Sequence, residues 1–290
     1  MTVPPRPRRS VLYMPGSNAR ALEKARALGA DGLIFDLEDA VAPGAKEEAR
    51  ALAVGELKKG GYAPRETILR VNGLDTPWGK DDLRAAAGSG ANAVLLPKVE
   101  TAAGVREAER VLLVAGAPPT LAIWCMIETP RGVLAANEIA GASSRLACLV
   151  MGTSDLVKDL RARHTPSRHE VQVALGMTVL AARAHGLAAL DGVHLDLEDD
   201  AGLEAACRQG LEMGFDGKTL IHPKTLDVAN RVFAPAAGDV DRARRIIAAH
   251  AEAVAEKKGV VVLDGRLVEG LHVEEAKRTV ALADAIAARA

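Results

Sequence analysis

The chain has 290 residues, 49% of them hydrophobic, with a formal net charge of −1 at pH 7. That is enough apolar side chain for a large core, and a length usual for a single α/β barrel of about 250 residues. The near-neutral charge and an aromatic content of 2% exclude a basic nucleic-acid face or a base-stacking platform, and offer no attraction to an acidic membrane surface.

Residues 1–9 are basic and Pro-rich but lead into no long apolar segment. They read as a short arm of a cytoplasmic protein, neither signal peptide nor membrane span. Residues 10–14 form a first short strand ended by Pro15-Gly16, and residues 19–28 read as a helix. Residues 32–37 are the second strand, 46–59 the second helix, 67–71 the third strand and 93–97 the fourth. A helix follows over 102–114. The apolar run Leu121-Ala122-Ile123-Trp124-Cys125-Met126-Ile127 is the fifth strand; it closes on Glu128, before the helix start Thr129-Pro130. The run Leu149-Val150-Met151-Gly152-Thr153-Ser154 is the sixth and closes on Asp155. A helix runs over about 170–184. Residues 187–191 begin the seventh strand region, in which Gly192 to Asp196 is strand or loop, and residues 217–222 make the eighth. Cys125, Cys148 and Cys207 are odd in number and unclustered, as buried thiols of a reducing cytoplasm would be.

Eight such units predict a closed parallel (β/α)8 TIM barrel over residues 1–235, with an open doubly wound sheet as the alternative. The strands are nearly continuous apolar runs, as burial on both faces requires. Residues 236–290 have no place in an eight-unit barrel. They read as a helix over 241–257, a short strand over 260–263 ending in the Asp264-Gly265 turn, and a helix over 272–290. That last helix carries Val273, Ala276, Val280, Ala283 and Ala287 on one stripe. This extension is expected to cover the mouth of its own barrel or of a neighbour's.

The carboxyl ends of parallel strands are where such barrels keep their chemistry. Here they carry Asp36, Glu38 and Asp39, then Arg70 and Asn72, Lys98 and Glu100, Glu128, Asp155, and Lys218 with His222. Glu128 and Asp155 end successive strands. Such a pair can share one hard cation such as Mg²⁺, leaving positions for water and substrate oxygens. Arg70 has the planar fork that suits a substrate carboxylate. Each residue also has a plain structural reading. Glu128 can face a helix dipole. Asp155 can cap the next helix. Asp36 and Glu38 can pair with Arg70 or Lys98, and His222 can be a hydrogen-bonded structural histidine. The turn Met14-Pro15-Gly16-Ser17-Asn18 can offer N–H groups to a phosphate, with Arg20 and Lys24 adding charge, but it lacks the Gly-Lys-Ser/Thr ending of a P-loop. No His/Cys cluster has zinc spacing, and no Ser-His-Asp order stands out.

As a set these motifs resemble the citrate lyase beta-subunit / malyl-CoA lyase family of the HpcH/HpaI aldolase superfamily. The matching segments begin with Arg9-Ser10-Val11-Leu12-Tyr13-Met14-Pro15-Gly16-Ser17-Asn18 and Phe35-Asp36-Leu37-Glu38-Asp39-Ala40-Val41-Ala42-Pro43. They continue with Arg70-Val71-Asn72-Gly73-Leu74-Asp75-Thr76-Pro77, Leu96-Pro97-Lys98-Val99-Glu100, Ile127-Glu128-Thr129-Pro130, Gly217-Lys218 and Ile221-His222-Pro223. The resemblance spans nearly the whole chain. It implies a barrel whose C-terminal extension closes over an adjacent subunit, in a trimer or hexamer. It implies Mg²⁺ on Glu128 and Asp155, and Arg70 as anchor of the keto-acid half of the substrate. It also implies contacts from Tyr13, Asn18 and Lys24 to a CoA-type thioester; some relatives have arginine at the Asn18 position. Malyl-CoA lyase-like relatives carry an aspartate in the extension that enters the neighbour's site, whereas the matching stretch here has Glu269.

The expected activity is reversible Mg²⁺-dependent C–C cleavage of a 3-hydroxyacyl-CoA, such as malyl-, citramalyl- or citryl-CoA, into a keto acid and an acyl-CoA. Arg70, Asp36, Glu38 and Glu269 are the expected catalytic groups, Glu269 as the acid that protonates the enolate. The alternatives are thioester hydrolysis by the same metal and acid, and a citrate lyase beta-type subunit working on a substrate bound to an acyl-carrier protein.

Overall fold

The computed structural model describes residues 6–255 and 261–289. The chain divides into two compact units, Arg8–Phe233 and one built on Ala234–Ala290. The first five residues of the expected N-terminal arm, and parts of the expected 241–257 helix, 260–263 strand and 272–290 helix, lie outside the described residues.

In the first unit eight parallel strands close in chain order: β1 (Ser10–Pro15), β2 (Gly32–Asp36), β3 (Glu66–Arg70), β4 (Ala93–Leu96), β5 (Ala122–Ile127), β6 (Leu146–Met151), β7 (Ala188–Asp191) and β8 (Gly217–Leu220). Pairing of Ser10 with Lys218 and Val11 with Thr219 seals the ring. The open doubly wound sheet is thereby excluded. The helices between strands are α1 (Ala19–Lys24), α2 (Lys46–Lys59), α3 (Gly79–Ala87), α4 (Ala102–Val114), α5 (Pro130–Leu134), α6 (Ala136–Ala140), α7 (Thr153–Asp159), α8 (Gln172–Ala184), α9 (Asp200–Met213) and α10 (Leu226–Val232).

Alternation along each strand sends successive side chains to opposite faces. The inner set holds Val11, Ile34, Ile68, Leu95, Trp124, Met126, Cys148, Val150 and Leu190. The outer set, under the helices, holds Leu12, Leu33, Leu69, Val94, Ile123, Leu149 and Ala189. Both sets are buried, so the strands read as unbroken apolar runs. At the amino end of the barrel Arg8 lies 5.0 Å over the Trp124 ring and grips Glu66 at 2.7 and 3.0 Å. This end is closed by structure. Cap chemistry sets the helix starts: Thr101, Thr129 and Asp199 accept from the N–H groups of Gly104, Gly132 and Gly202 at the heads of α4, α5 and α9.

Two details depart from the sequence reading. The helix expected over 19–28 is α-helical only to Lys24, and a 3-10 turn over Ala25–Ala27 finishes it. Residues 192–196, open to strand or loop on sequence, are loop. Asp155 does not end its strand: β6 stops at Met151, Gly152 turns the chain, and Asp155 stands in the first turn of α7. The three cysteines are free and buried.

The second unit pairs helix α11 (Ala237–Ala255) with α12 (Gly270–Ala287) across the antiparallel hairpin β9 (Val261–Leu263) and β10 (Arg266–Val268). Asp264 and Gly265 take φ of 50° and 73°, the left-handed pair that a tight two-residue hairpin needs. On the predicted stripe of α12, Val273 and Ala276 are buried. No helix among the described residues is long and apolar enough to cross a membrane.

Candidate active site

The carboxyl end of the barrel opens into a cavity of about 380 Å³. Tyr13, Asp36, Asp39, Arg70, Glu128 and Asp155 all line it, so six of the residues singled out in the sequence converge there. Strand register explains the tightest contact. Asp36 and Arg70 are partners on β2 and β3. Asp36 therefore takes Arg70 side-on, with Nε donating to Oδ1 at 2.6 Å and Nη2 to Oδ2 at 2.5 Å. Both side chains are buried. Asp36 also accepts from the N–H groups of Glu38 and Ala40, which folds the β2 loop back over the site. Of the two roles the sequence leaves open for Asp36, the structure shows the ion pair: one bidentate edge of the Arg70 fork belongs to Asp36. Burial works against the charge on Arg70, but Tyr13, Asp36 and Glu38 outweigh it and raise its pKa further. Its guanidinium lies 4.9 Å over the Tyr13 ring.

Glu38, Asp39 and Lys98 form the next layer. Glu38 Oε1 accepts from Lys98 Nζ. Its Oε2 faces Arg70 Nη1 at 2.8 Å but makes no hydrogen bond. Burial pushes the Glu38 carboxyl above the ordinary range, against the pull of Arg70 and Lys98. Asp39 is more exposed; there burial is outweighed by Arg70 and Lys98, and its carboxyl is held low.

Glu128 follows the last residue of β5 and is 2% exposed. Its Oε1 accepts the Lys98 backbone N–H at 2.6 Å. Burial pushes its carboxyl up to about 7. Asp155 reaches in from α7, with Oδ2 3.4 Å from Lys98 Nζ. Asp155 is in the first turn of that helix, beyond Gly152 at the cap position, so it is not the N-cap. Gly152 is required sterically: a Cβ there would run into the Cβ and carboxylate of Glu128.

Among the described residues no three His, Cys, Asp or Glu side chains form a ready metal cage. Mg²⁺ does not need one; it keeps several waters and is usually held by one or two carboxylates with substrate oxygens. Two hard oxygen donors on a shared cavity wall fit that habit. Five carboxyl groups here (Asp36, Glu38, Asp39, Glu128 and Asp155) stand near three cationic side chains, Arg70, Lys98 and Lys46. A further cation suits this surplus of negative charge.

Other predicted residues lie elsewhere. Asn18 is exposed and caps α1, accepting from the Ala21 N–H at 3.1 Å. Lys24 is exposed in the last turn of α1. Glu269 is exposed at the head of α12 in the second unit, where its N–H donates to His272 Nδ1 at 3.0 Å. Lys218 does not join the polar bowl. Thr219 faces the cavity, so its strand neighbour Lys218 points outward and pairs with buried Asp191 at 2.7 Å. Arg168 binds the other oxygen of Asp191. His222 is exposed and its Nδ1 accepts from the Lys224 N–H at 3.1 Å.

The sequence reading missed the support behind the site. Buried Asp82 accepts from the Asn72 N–H at 2.9 Å, from Asn72 Nδ2 at 2.6 Å and from Arg50 Nε at 2.6 Å. Asn72 Nδ2 and Lys46 Nζ both donate to the Leu37 carbonyl, at 3.1 and 2.8 Å, and Lys46 also to that of Glu38 at 2.6 Å. These bonds tie the ends of β2 and β3 together. Lys46 lies 8 and 9 residues from the carbonyls it bonds, and Asp82 lies 10 from Asn72 and 32 from Arg50, in no motif, so only the fold brings them into view. Met126 and Thr219 on the cavity wall were readable in principle, by counting every second residue from a known inward position.

With this geometry in hand, comparison with known proteins is consistent. The family model described as HpcH/HpaI aldolase/citrate lyase matches residues 9–223. The (3S)-malyl-CoA thioesterase of Cereibacter sphaeroides is 52% identical over 282 residues, covering 97% of this chain and 96% of its own. Citrate lyase subunit beta of Escherichia coli is 38% identical over 284 residues, covering 96% and 94%. Among solved structures, protein CitE from Mycobacterium tuberculosis in complex with magnesium, acetoacetate and coenzyme A superposes with a TM-score of 0.75 at 31% identity, covering 95% of this chain and 97% of that one.

Proposed function

The chain belongs to the HpcH/HpaI aldolase/citrate lyase family, and from that premise we propose that it is a Mg²⁺-dependent enzyme hydrolysing the thioester of malyl-CoA or a close 3-hydroxyacyl-CoA. The observation that carries hydrolysis over cleavage is the 52% identity to a (3S)-malyl-CoA thioesterase along nearly the whole of both chains, against 38% to a citrate lyase beta subunit.

Glu128 and Asp155 are the residues that would hold Mg²⁺. When bound, the ion supplies Lewis-acid polarisation of substrate oxygens. Arg70, steadied by Asp36, meets the free carboxylate of the substrate with the N–H groups that Asp36 leaves open. Glu38 we assign to move a proton: it is paired with Arg70 and Lys98 beside the cavity, and burial shifts its carboxyl up. It takes a proton from the water that attacks the thioester carbon. The C–S bond then breaks, and Glu38 returns that proton to the leaving sulfur, so that CoA departs as the thiol. We assign the CoA portion to the β1 end, where Tyr13 lines the cavity and Asn18 and Lys24 follow on α1. Glu269 we assign as an acid supplied by a neighbouring copy in a homo-oligomer, a trimer or hexamer. Free, buried cysteines support a cytoplasmic setting.

A second reading is favoured by the family itself and by the citrate lyase relative: C–C cleavage to a keto acid and an acyl thioester, on CoA or on a carrier protein. Thiol release from malyl-, citramalyl- and citryl-CoA, with Mg²⁺ and with chelator, tests the proposal. Metal-dependent thiol release from malyl-CoA is expected. Release that persists in chelator removes the metal from the mechanism.

A further inference from the structure

Lys98 takes φ of 47°, a left-handed backbone that a lysine rarely adopts and that costs energy. It stands one residue beyond Pro97 at the end of β4. From that position its backbone N–H reaches Glu128 Oε1 at 2.6 Å. Its side chain turns back across the acids: Nζ bonds Glu38, and lies 3.4 Å from Asp155 Oδ2 and 3.8 Å from Asp39 Oδ1. One strained residue thus touches both carboxylates assigned to the metal, by two different groups.

We propose that Lys98 is a built-in counter-cation of the metal site. Its main chain holds Glu128 in place, and its ammonium competes with the divalent ion for Asp155, limiting the affinity. The inference rests on the assignment of Mg²⁺ to Glu128 and Asp155. The Lys98 side chain is 45% exposed, so the ammonium can yield to solvent when a cation arrives. Competition of this kind keeps a metal exchangeable. It also leaves a positive charge beside the acids for an anionic substrate to meet.

The test is calorimetric titration of metal-free protein with MgCl2, alongside thermal melting to check folding. Lys98→Met keeps the aliphatic stem and removes the charge; it is expected to bind Mg²⁺ about tenfold tighter or more, from removal of a unit charge next to a divalent ion. Lys98→Arg keeps the charge and is expected to bind as the wild type does. Lys98→Gly suits the left-handed backbone, keeps the N–H, and is expected to bind more tightly without loss of melting temperature; it carries the test if Lys98→Met does not fold. Unchanged or weaker binding by the uncharged variants overturns the inference. Glu128→Gln separates the two claims. If the wild type binds, Glu128→Gln does not, and Lys98→Met matches wild type, only the Lys98 inference falls. If the wild type binds no metal, or Glu128→Gln binds equally well, the metal assignment falls and takes the inference with it.

Discussion

Asp36 holds Arg70 by two parallel hydrogen bonds of 2.6 and 2.5 Å, because the two residues are register partners on adjacent strands. That relationship makes Asp36 the residue that orients Arg70, the group proposed above to meet substrate. Asp36→Asn keeps the shape but replaces one acceptor oxygen with a donor aimed at a guanidinium. It is expected to raise KM for malyl-CoA about tenfold or more through misorientation of the fork. Arg70→Lys has no fork and is expected to lose about 100-fold or more in kcat/KM. Steady-state kinetics on both variants checks this. Unchanged KM in Asp36→Asn removes its positioning role.

Removal of either acid assigned to the metal is expected to stop metal-dependent turnover. Glu128→Gln and Asp155→Asn are both predicted to lose Mg²⁺ binding in calorimetry and to lose activity by about 100-fold or more. Wild-type activity in both variants would refute the metal assignment.

Gly152 has an ordinary negative φ of −108°, so alanine is tolerated by the backbone. The space is what is lacking, since a Cβ would meet Glu128 Oε2 at 2.5 Å. Gly152→Ala is expected to displace Glu128 and to weaken Mg²⁺ binding about tenfold, for a shift of the order of 1.4 kcal/mol. Calorimetry on this variant reads Glu128 placement without touching any group that contacts substrate.

Away from the cavity, Asp191 pairs with Lys218 and Arg168 on the outer face of β7 and β8, and it is wholly buried. Burial alone would raise its carboxyl; Lys218 and Arg168 outweigh that and hold it below the usual range. A depressed folded-state pKa means the unfolded chain binds the proton first. The stabilisation is therefore full above the ordinary carboxylate pKa of about 4 and is lost as pH falls through the folded value. Asp191→Asn leaves buried Lys218 and half-buried Arg168 without their charge partner and is expected to cost about 3–5 kcal/mol near neutral pH. Denaturant unfolding from pH 7 to pH 3 should show the gap between wild type and variant closing below about pH 4. A gap independent of pH contradicts this account.

Much of the barrel was legible in the sequence because parallel strands buried on both faces are continuous apolar runs, and continuous runs are visible without knowing the register. The helices over 46–59 and 102–114 were likewise clear, since α2 and α4 have those bounds. Inward and outward facing needs one known inward position before alternation can be counted. Lys218 looks like a strand-end site residue until Thr219 is seen on the cavity wall. The loss of one Arg70 edge to Asp36 depends on the β2–β3 register. The strained backbone of Lys98 depends on where Glu128 stands, thirty residues along the chain. Asp155 was read at a strand end because Gly152-Thr153-Ser154 continues the run, whereas the glycine breaks the strand and helix α7 begins at once.

The measurement closest to the central claim is product identification by mass spectrometry after turnover of malyl-CoA with Mg²⁺ in H2¹⁸O. Hydrolysis predicts free CoA and malate carrying one ¹⁸O in the carboxyl group that held the thioester. Acetyl-CoA and glyoxylate, with no labelled malate, would contradict it and establish C–C cleavage in its place.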